Sequence, residues 1–427
     1  MKNSNSATIR RERLDPLTTW RFFAAASVVF YHCTNGVFLA APAWFHNLTQ
    51  NGYQAVTFFF VLSGFVLVYN YHKADAASGL KGTRGGFWIA RMARICPTYI
   101  LALCIALPAY FYYGLVKQTI SPISFGLGLL FTPLLLQAWL PIAGVWNGPA
   151  WSLSVEGFFY LCFPKFVQYL ARKTWRWCFW VALVGVVSFN LVRYYLCPLS
   201  ESGAATEPEG YLHHFCAYFP LAHLPTFIFG MALCKAHLSL PSEVRQRYQN
   251  SILLVSLGIL LTLFCLHGRI SPIFLSDTLL VPLYGAIVFA SANCTGTLNR
   301  ILSHRWLVEL GEASYAIYIL HIPLVWWATR VKSLFPAFPD KDNVFFCCYF
   351  VALLGTCVFI YERFEKPMKK WVTHRLGTAF LKPTGKESSA SEAGIRHIPE
   401  PTTPLELHSG SPRPLMTPPF SNLDVDG

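Results

Sequence analysis

Arg21 and His32 lie in one apolar run, WRFFAAASVVFYHC. Both side chains are costly in hydrocarbon, and ionisable groups inside a span usually have a function. They are eleven residues apart. At 100° per residue, their side chains leave a helix within about 20° of each other, and the rise between them is about 16 Å. One stripe thus carries a cation at one end and an imidazole at the other. Imidazole is the common general base near neutral pH. The structural alternative is a snorkelling Arg21 and a packed, hydrogen-bonded His32.

Three further clusters carry polar groups on apolar helices. Arg91 and Arg94 in "RMAR" are spaced i,i+3 and project from one helix face. Paired guanidinium forks suit phosphate, although membrane topology alone also calls for basic residues there. Ser152, Glu156 and Tyr160 follow at i, i+4, i+8 in "WSLSVEGFFY". A carboxylate there must meet a cation, donors or water, in catalysis or in tying down the preceding loop. Ser314, Tyr318 and His321 form a stripe in "SYAIYILHIPL", with Glu309 and Glu312 before it; a structural or substrate-lining role suits them. Ser63-Gly64 sits in mid-span, where small residues let helices pack closely.

Composition says what must position these groups. The chain has 427 residues, 54% hydrophobic and 13% charged, with mean hydropathy +0.41. A soluble domain is about a quarter charged. Runs of about 20 apolar residues, enough to cross a bilayer, fall at 17–40, 52–70, 97–114, 121–140, 152–170, 177–197, 216–234, 251–267, 275–292, 312–329 and 344–362. The expected fold class is all-α, a polytopic transmembrane helical bundle. Lys and Arg mark 1–21, 71–94, 165–176, 235–247 and the tail after Arg363 as cytoplasmic, and leave 41–52 and 198–215 outside. Two segments between Arg94 and Trp151 break the alternation. The expectation is therefore about ten crossings, with one irregular or re-entrant element before Trp151.

Residues 1–16 read as a basic cytoplasmic N-terminus, 17–370 as the membrane domain and 377–427 as a disordered cytoplasmic tail. No cleavable signal peptide is evident. The net charge of +13 raises the question of nucleic acid, but the basic residues cluster beside spans, so no nucleic-acid partner is expected. The thirteen cysteines form no CxxC pair and read as small apolar packers, so no metal is expected. Broken helices with buried Arg, His and Glu also describe a transporter of a small anionic or sugar-linked solute.

"RLDPLTTWRFFAAASVVFYH", "FFFVLSGFVL", "RMARICPTY", "WSLSVEGFFYLCFP" and "GEASYAIYILHIPL" stand in the order and spacing that resemble the acyltransferase-3 family. These are integral membrane O-acyltransferases that modify sugars and glycosylated products. The resemblance covers about 13–367. Arg21 and His32 match its Arg-x10-His element, Arg91 and Arg94 its Arg-x-x-Arg element, and Trp151 to Glu156 its Trp-Ser-Leu-Ser-Val-Glu element. Pro16 replaces the usual glycine after Leu-Asp, and no appended SGNH domain is seen.

The resemblance implies acyl-CoA, acetyl-CoA first, as donor, and a sugar-containing acceptor. Arg21, Arg91 and Arg94 would hold the CoA phosphates. His32 would act as general base or as acyl carrier, with Glu156 as its partner. Ser152, Ser154, Tyr160, Ser314, Tyr318 and His321 would line the acceptor. The protein would lie in the bilayer as a multi-pass protein with both termini cytoplasmic, in the plasma (inner) membrane if the source is bacterial.

Overall fold

A computed structural model describes residues 13–34, 37–73, 79–140, 146–196, 217–270, 275, 277–334 and 342–380. These residues are helical apart from turns and one isolated bridge between His72 and Leu80. The first helices are α1 (Asp15–Cys33), α2 (Ala43–Gln50), α3 (Ala55–Tyr71), α4 (Arg84–Phe111) and α5 (Pro122–Phe131). Then come α6 (Trp151–Arg172), α7 (Trp175–Leu196), α8 (Leu224–Ser239), α9 (Ser242–Gln246), α10 (Gln249–Cys265) and α11 (Asp277–Ser291). The last are α12 (Gly296–Leu302), α13 (Arg305–Glu312), α14 (Ser314–Leu334), α15 (Asp342–Ile360) and α16 (Lys366–Phe380).

Among the described residues, six helical stretches are long and apolar enough to cross a membrane, and a seventh is added if α11 and α12, bent by 102°, count as one span. Two of the six form the centre. The stretch through α3 and the one through α8 are each 72% buried, against 22% for those through α7 and through α9–α10. The outer helices instead turn large apolar side chains outward, such as Trp180, Leu254 and Phe359. An apolar exterior around a packed interior is what lipid solvent requires.

Gly64 allows the central contact. A Cβ there would lie 2.1 Å from the Phe227 carbonyl oxygen on α8, so the two backbones touch. Gly311 does the same for α13, where a Cβ would lie 2.0 Å from the Thr18 carbonyl oxygen of α1. The packing reading of Ser63-Gly64 thus describes Gly64, while Ser63 turns to the site described below.

Local chemistry sets the helix ends. Pro16 sits in the first turn of α1, where its missing N–H costs nothing, and Asp15 meets the positive helix end. The Thr83 hydroxyl accepts from the Gly86 N–H at 3.0 Å and caps α4.

The stretch 121–140, expected as a span or an irregular element, folds as α5 followed by turns. Ten residues rise only about 15 Å, half of a hydrocarbon core. The expected external loop 41–52 is mostly helical, because α2 leads through a 3-10 turn at Gly52–Gln54 into α3. The other external loop, 198–215, lies outside the described residues. Helix persists to Phe380, past the expected start of the tail at 377; residues from 381 on are also outside the described set.

Candidate active site

Three helices that carry expected site residues contain an internal proline, and in two of them, α6 and α14, the freed carbonyl is capped by a side chain. Proline removes the N–H that would bond to the carbonyl four residues earlier. Pro164 in α6 frees the Tyr160 carbonyl, which accepts from Trp88 Nε1 at 3.0 Å. Pro323 in α14 frees the Ile319 carbonyl, which accepts from Asn147 Nδ2 at 2.7 Å. Glu156 and Tyr160 precede the first break; Tyr318 and His321 flank the second.

At one end of the α1 stripe lies a layer of charge. Arg21 interacts electrostatically with Arg94, Glu156 and Glu365. Arg94 in turn interacts with Glu365, Tyr160 and Glu156. Neither guanidinium makes a hydrogen bond or a close ion pair among the described residues. The Glu156 carboxylate accepts from the Tyr160 hydroxyl at 2.5 Å and from Ser63 Oγ at 3.2 Å. Glu365, almost fully buried, accepts from Thr98 Oγ1 at 3.3 Å. Arg91 donates to the Tyr71 hydroxyl at 2.9 Å, and its guanidinium lies 5.2 Å from the Tyr71 ring centre and 5.8 Å from that of Tyr160. Lys369 on α16 also interacts with Arg94, Arg91 and Glu365.

At the other end of the stripe the two histidines meet. His32 Nδ1 is 3.1 Å from the Val28 carbonyl oxygen and 3.2 Å from His321 Nε2. His321 Nδ1 is 2.7 Å from the Tyr318 carbonyl oxygen. A carbonyl only accepts, so each Nδ1 carries the proton. With both rings neutral, His321 Nε2 holds a lone pair and accepts from His32 Nδ1–H. The His32 Nε2 lone pair is then the basic atom left over. His321 is fully buried, whereas His32 is an exposed residue. The Tyr349 hydroxyl fixes the arrangement from α15 by donating to the His321 carbonyl at 2.6 Å.

The remaining expected residues divide. Tyr318 and Ser152 pair through their hydroxyls at 2.7 Å, and both approach the Pro149 carbonyl at 3.0 Å. Ser154 is buried and donates to the Leu135 carbonyl at 2.5 Å, so it ties down the turn after α5. Ser314 is buried at the first residue of α14. Glu156 belongs to the arginine layer; the ring that meets His32 is His321.

Sequence reasoning does not single out Glu365, Lys369, Tyr71 or Asn147, and it reads Ser63 as packing only. A lone acid among the lysines of "FEKPMKK" was the one available sign of Glu365.

No solved structure matches this chain. Residues 16–362 match the family described as "acyltransferase domain". Acyltransferase MdmB of Streptomyces mycarofaciens is 29% identical over 332 residues, covering 75% of this chain and 81% of that protein. O-acetyltransferase OatA of Staphylococcus aureus is 19% identical over 377 residues, covering 82% of this chain but only 56% of that protein. A shorter match, 35% identical over 159 residues, links 34% of this chain to 78% of protein 2 in the picA locus of Rhizobium radiobacter. This chain belongs to the acyltransferase-3 family and is a multi-pass membrane acyltransferase that moves groups other than aminoacyl groups.

Proposed function

We propose that the protein moves an acyl group, acetyl first, from acyl-CoA to a hydroxyl of a sugar-containing acceptor, with His32 as the general base. The observation that carries this reading is the relay from the Tyr318 carbonyl through His321 to His32, which leaves Nε2 of an exposed histidine as the basic atom. The acceptor hydroxyl gives its proton to that nitrogen as its oxygen attacks the thioester carbonyl. The C–S bond breaks, and the CoA thiolate takes the proton back from His32 Nε2–H.

Arg21 and Arg94 have donors to spare, and phosphate oxygens are what guanidinium forks suit best. They would hold the CoA phosphates, with Arg91 and Lys369 adding charge. Glu156 and Glu365 would keep the cations in place between turnovers. The slender pantetheine arm then spans the rise of about 16 Å from Arg21 to His32. Ser152 and Tyr318, beside the histidine pair, suit the acceptor side. This reading keeps about ten crossings, cytoplasmic termini and donor entry from the Arg91 side.

The test is purified protein with labelled acetyl-CoA, together with mass spectrometry of glycans and secreted metabolites from cells with and without the protein. Label should move to a glycosylated acceptor, and thiol release should depend on His32. If no acylated glycan or glycoside differs between the two cell lines, the sugar acceptor is refuted.

A further inference from the structure

Where α4 ends, two cations meet on one ring. The π-turn Tyr112–Val116 closes with the Lys117 N–H bonded to the Tyr112 carbonyl at 2.9 Å. In such a turn residues five apart come into line, and the Lys117 ammonium lies 5.9 Å from the Tyr112 ring centre. The Arg330 guanidinium of α14 lies 4.6 Å from the same centre and 5.3 Å from that of Trp326. Both cations are exposed, and neither pairs with an acid among the described residues. Like charges held this close repel; an anion that meets both removes the cost, and phosphate suits guanidinium best.

Their depth is that of lipid headgroups. Tyr315 donates to the Ile95 carbonyl and Trp327 Nε1 to the Ile105 carbonyl, so α14 and α4 run side by side in the same direction. Tyr112 stands eighteen residues beyond Arg94 on α4. That is a rise of about 27 Å, close to the hydrocarbon thickness of about 30 Å. The cations thus face the leaflet opposite the arginine layer, the outer one in the topology proposed above.

Directly beneath them is a cavity of about 280 Å³, with Ala106, Ala109, Tyr113, Ile322 and Trp326 among its walls. None of its lining residues is charged. Leu115, Val116 and Ile123 near its rim are exposed, as lipid-facing side chains are. Trp326 leaves α14 about 140° from His321, so the cavity is separate from the histidine pair.

We infer that this is a binding site for one anionic phospholipid of the bilayer. Its phosphate meets Arg330 and Lys117, and the upper part of one acyl chain lies in the cavity. A choline lipid would bring an ammonium of its own to two cations, so the site selects a headgroup of net negative charge.

The full-length protein in phosphatidylcholine nanodiscs, doped with phosphatidylglycerol that carries a diazirine in the upper half of one acyl chain, tests this. After irradiation, peptide mass spectrometry should find label on Ala106, which is buried and out of reach of lipid that merely surrounds the protein. Arg330→Gln with Lys117→Gln should cut that label by about twenty-five-fold, at about 1 kcal/mol or fivefold per cation. Arg330→Lys with Lys117→Arg keeps both charges and should keep the label. Gly148→Leu should abolish it, because Gly148 lines the cavity and a Cβ there meets nothing within 4 Å. Excess glycerol 3-phosphate, a headgroup without a chain, should not displace the probe. The inference is overturned if a phosphatidylcholine probe labels Ala106 equally or if the Gln double variant or Gly148→Leu keeps the label. Loss of label in the charge-keeping variant, or displacement by glycerol 3-phosphate, also overturns it.

Discussion

His321→Phe and His32→Gln should differ in effect by about one to nearly four orders of magnitude, although the two rings touch. His32 Nδ1–H has two acceptors, the Val28 carbonyl at 3.1 Å and His321 Nε2 at 3.2 Å. Phenylalanine at 321 keeps a flat ring in a fully buried position and removes one acceptor. The Val28 carbonyl remains and still holds the proton on Nδ1. The loss is therefore near that of one neutral hydrogen bond, about 0.5–1.5 kcal/mol, or about two- to twelvefold in rate. Glutamine at 32 can still reach Val28 but offers no basic nitrogen. Removal of a general base costs about 10²–10⁴. The assay is CoA thiol release with a responsive acceptor, per mole of protein that elutes as a single species in detergent. Donor KM should stay within about twofold in both variants, because the arginine layer begins about 16 Å away. A loss above about a hundredfold in His321→Phe, with His32→Gln mildly affected, would refute the assignment and make His321 the base.

Arg21→Ala and Arg94→Ala should each raise the acyl-CoA KM by about ten- to a hundredfold, the worth of a charged contact of 1.5–3 kcal/mol; Arg94→Lys should recover part of it. Unchanged donor KM in the double variant would leave these arginines a topological role only. Asn147→Ala strips the cap from the Ile319 carbonyl and should cost about 1–3 kcal/mol, seen as a lower unfolding midpoint in detergent; an unchanged midpoint would mean another donor takes over. Gly311→Leu should abolish folded yield, because the Thr18 backbone stands where its Cβ must go; normal yield would show that α13 can retreat from α1. A cysteine at Trp44 should label from outside and one at Trp371 from the cytoplasm, both being exposed positions; the reverse pattern would invert the topology.

Much of the site could be read in the sequence because helix periodicity is a local rule. The shared face of Arg21 and His32, the Arg91–Arg94 pair and the Glu156–Tyr160 step need only the angle per residue. Periodicity says nothing about which helix stands opposite. The His32–His321 contact joins positions 289 apart, and the Thr98–Glu365 bond joins positions 267 apart. The resemblance implies Glu156 as a carboxylate partner of His32; in the fold Glu156 accepts from Tyr160 and Ser63 and interacts with the arginines. The membrane class followed from hydropathy, but the lengths of individual spans did not. Whether 121–140 is a long helix or a short one with turns depends on ties such as Tyr99 to the Thr132 carbonyl and Ser154 to the Leu135 carbonyl. Such side-chain bonds leave no period in the chain.

The two capped proline breaks also bear on how the protein is made. Chains are synthesised from the N-terminus, and a bare carbonyl in lipid finds no water to satisfy it. Trp88 leaves the ribosome before Tyr160, and Asn147 before Ile319. Each donor is thus already made when the carbonyl that needs it is translated. The broken helices can enter the bilayer beside a waiting partner, and the reverse order would leave each break exposed until later segments arrived. Swapping the two halves of the chain by circular permutation would keep the contacts of the finished fold but translate Ile319 before Asn147, while leaving Trp88 ahead of Tyr160. The permuted protein should therefore suffer in yield during biosynthesis more than in the stability of whatever folds.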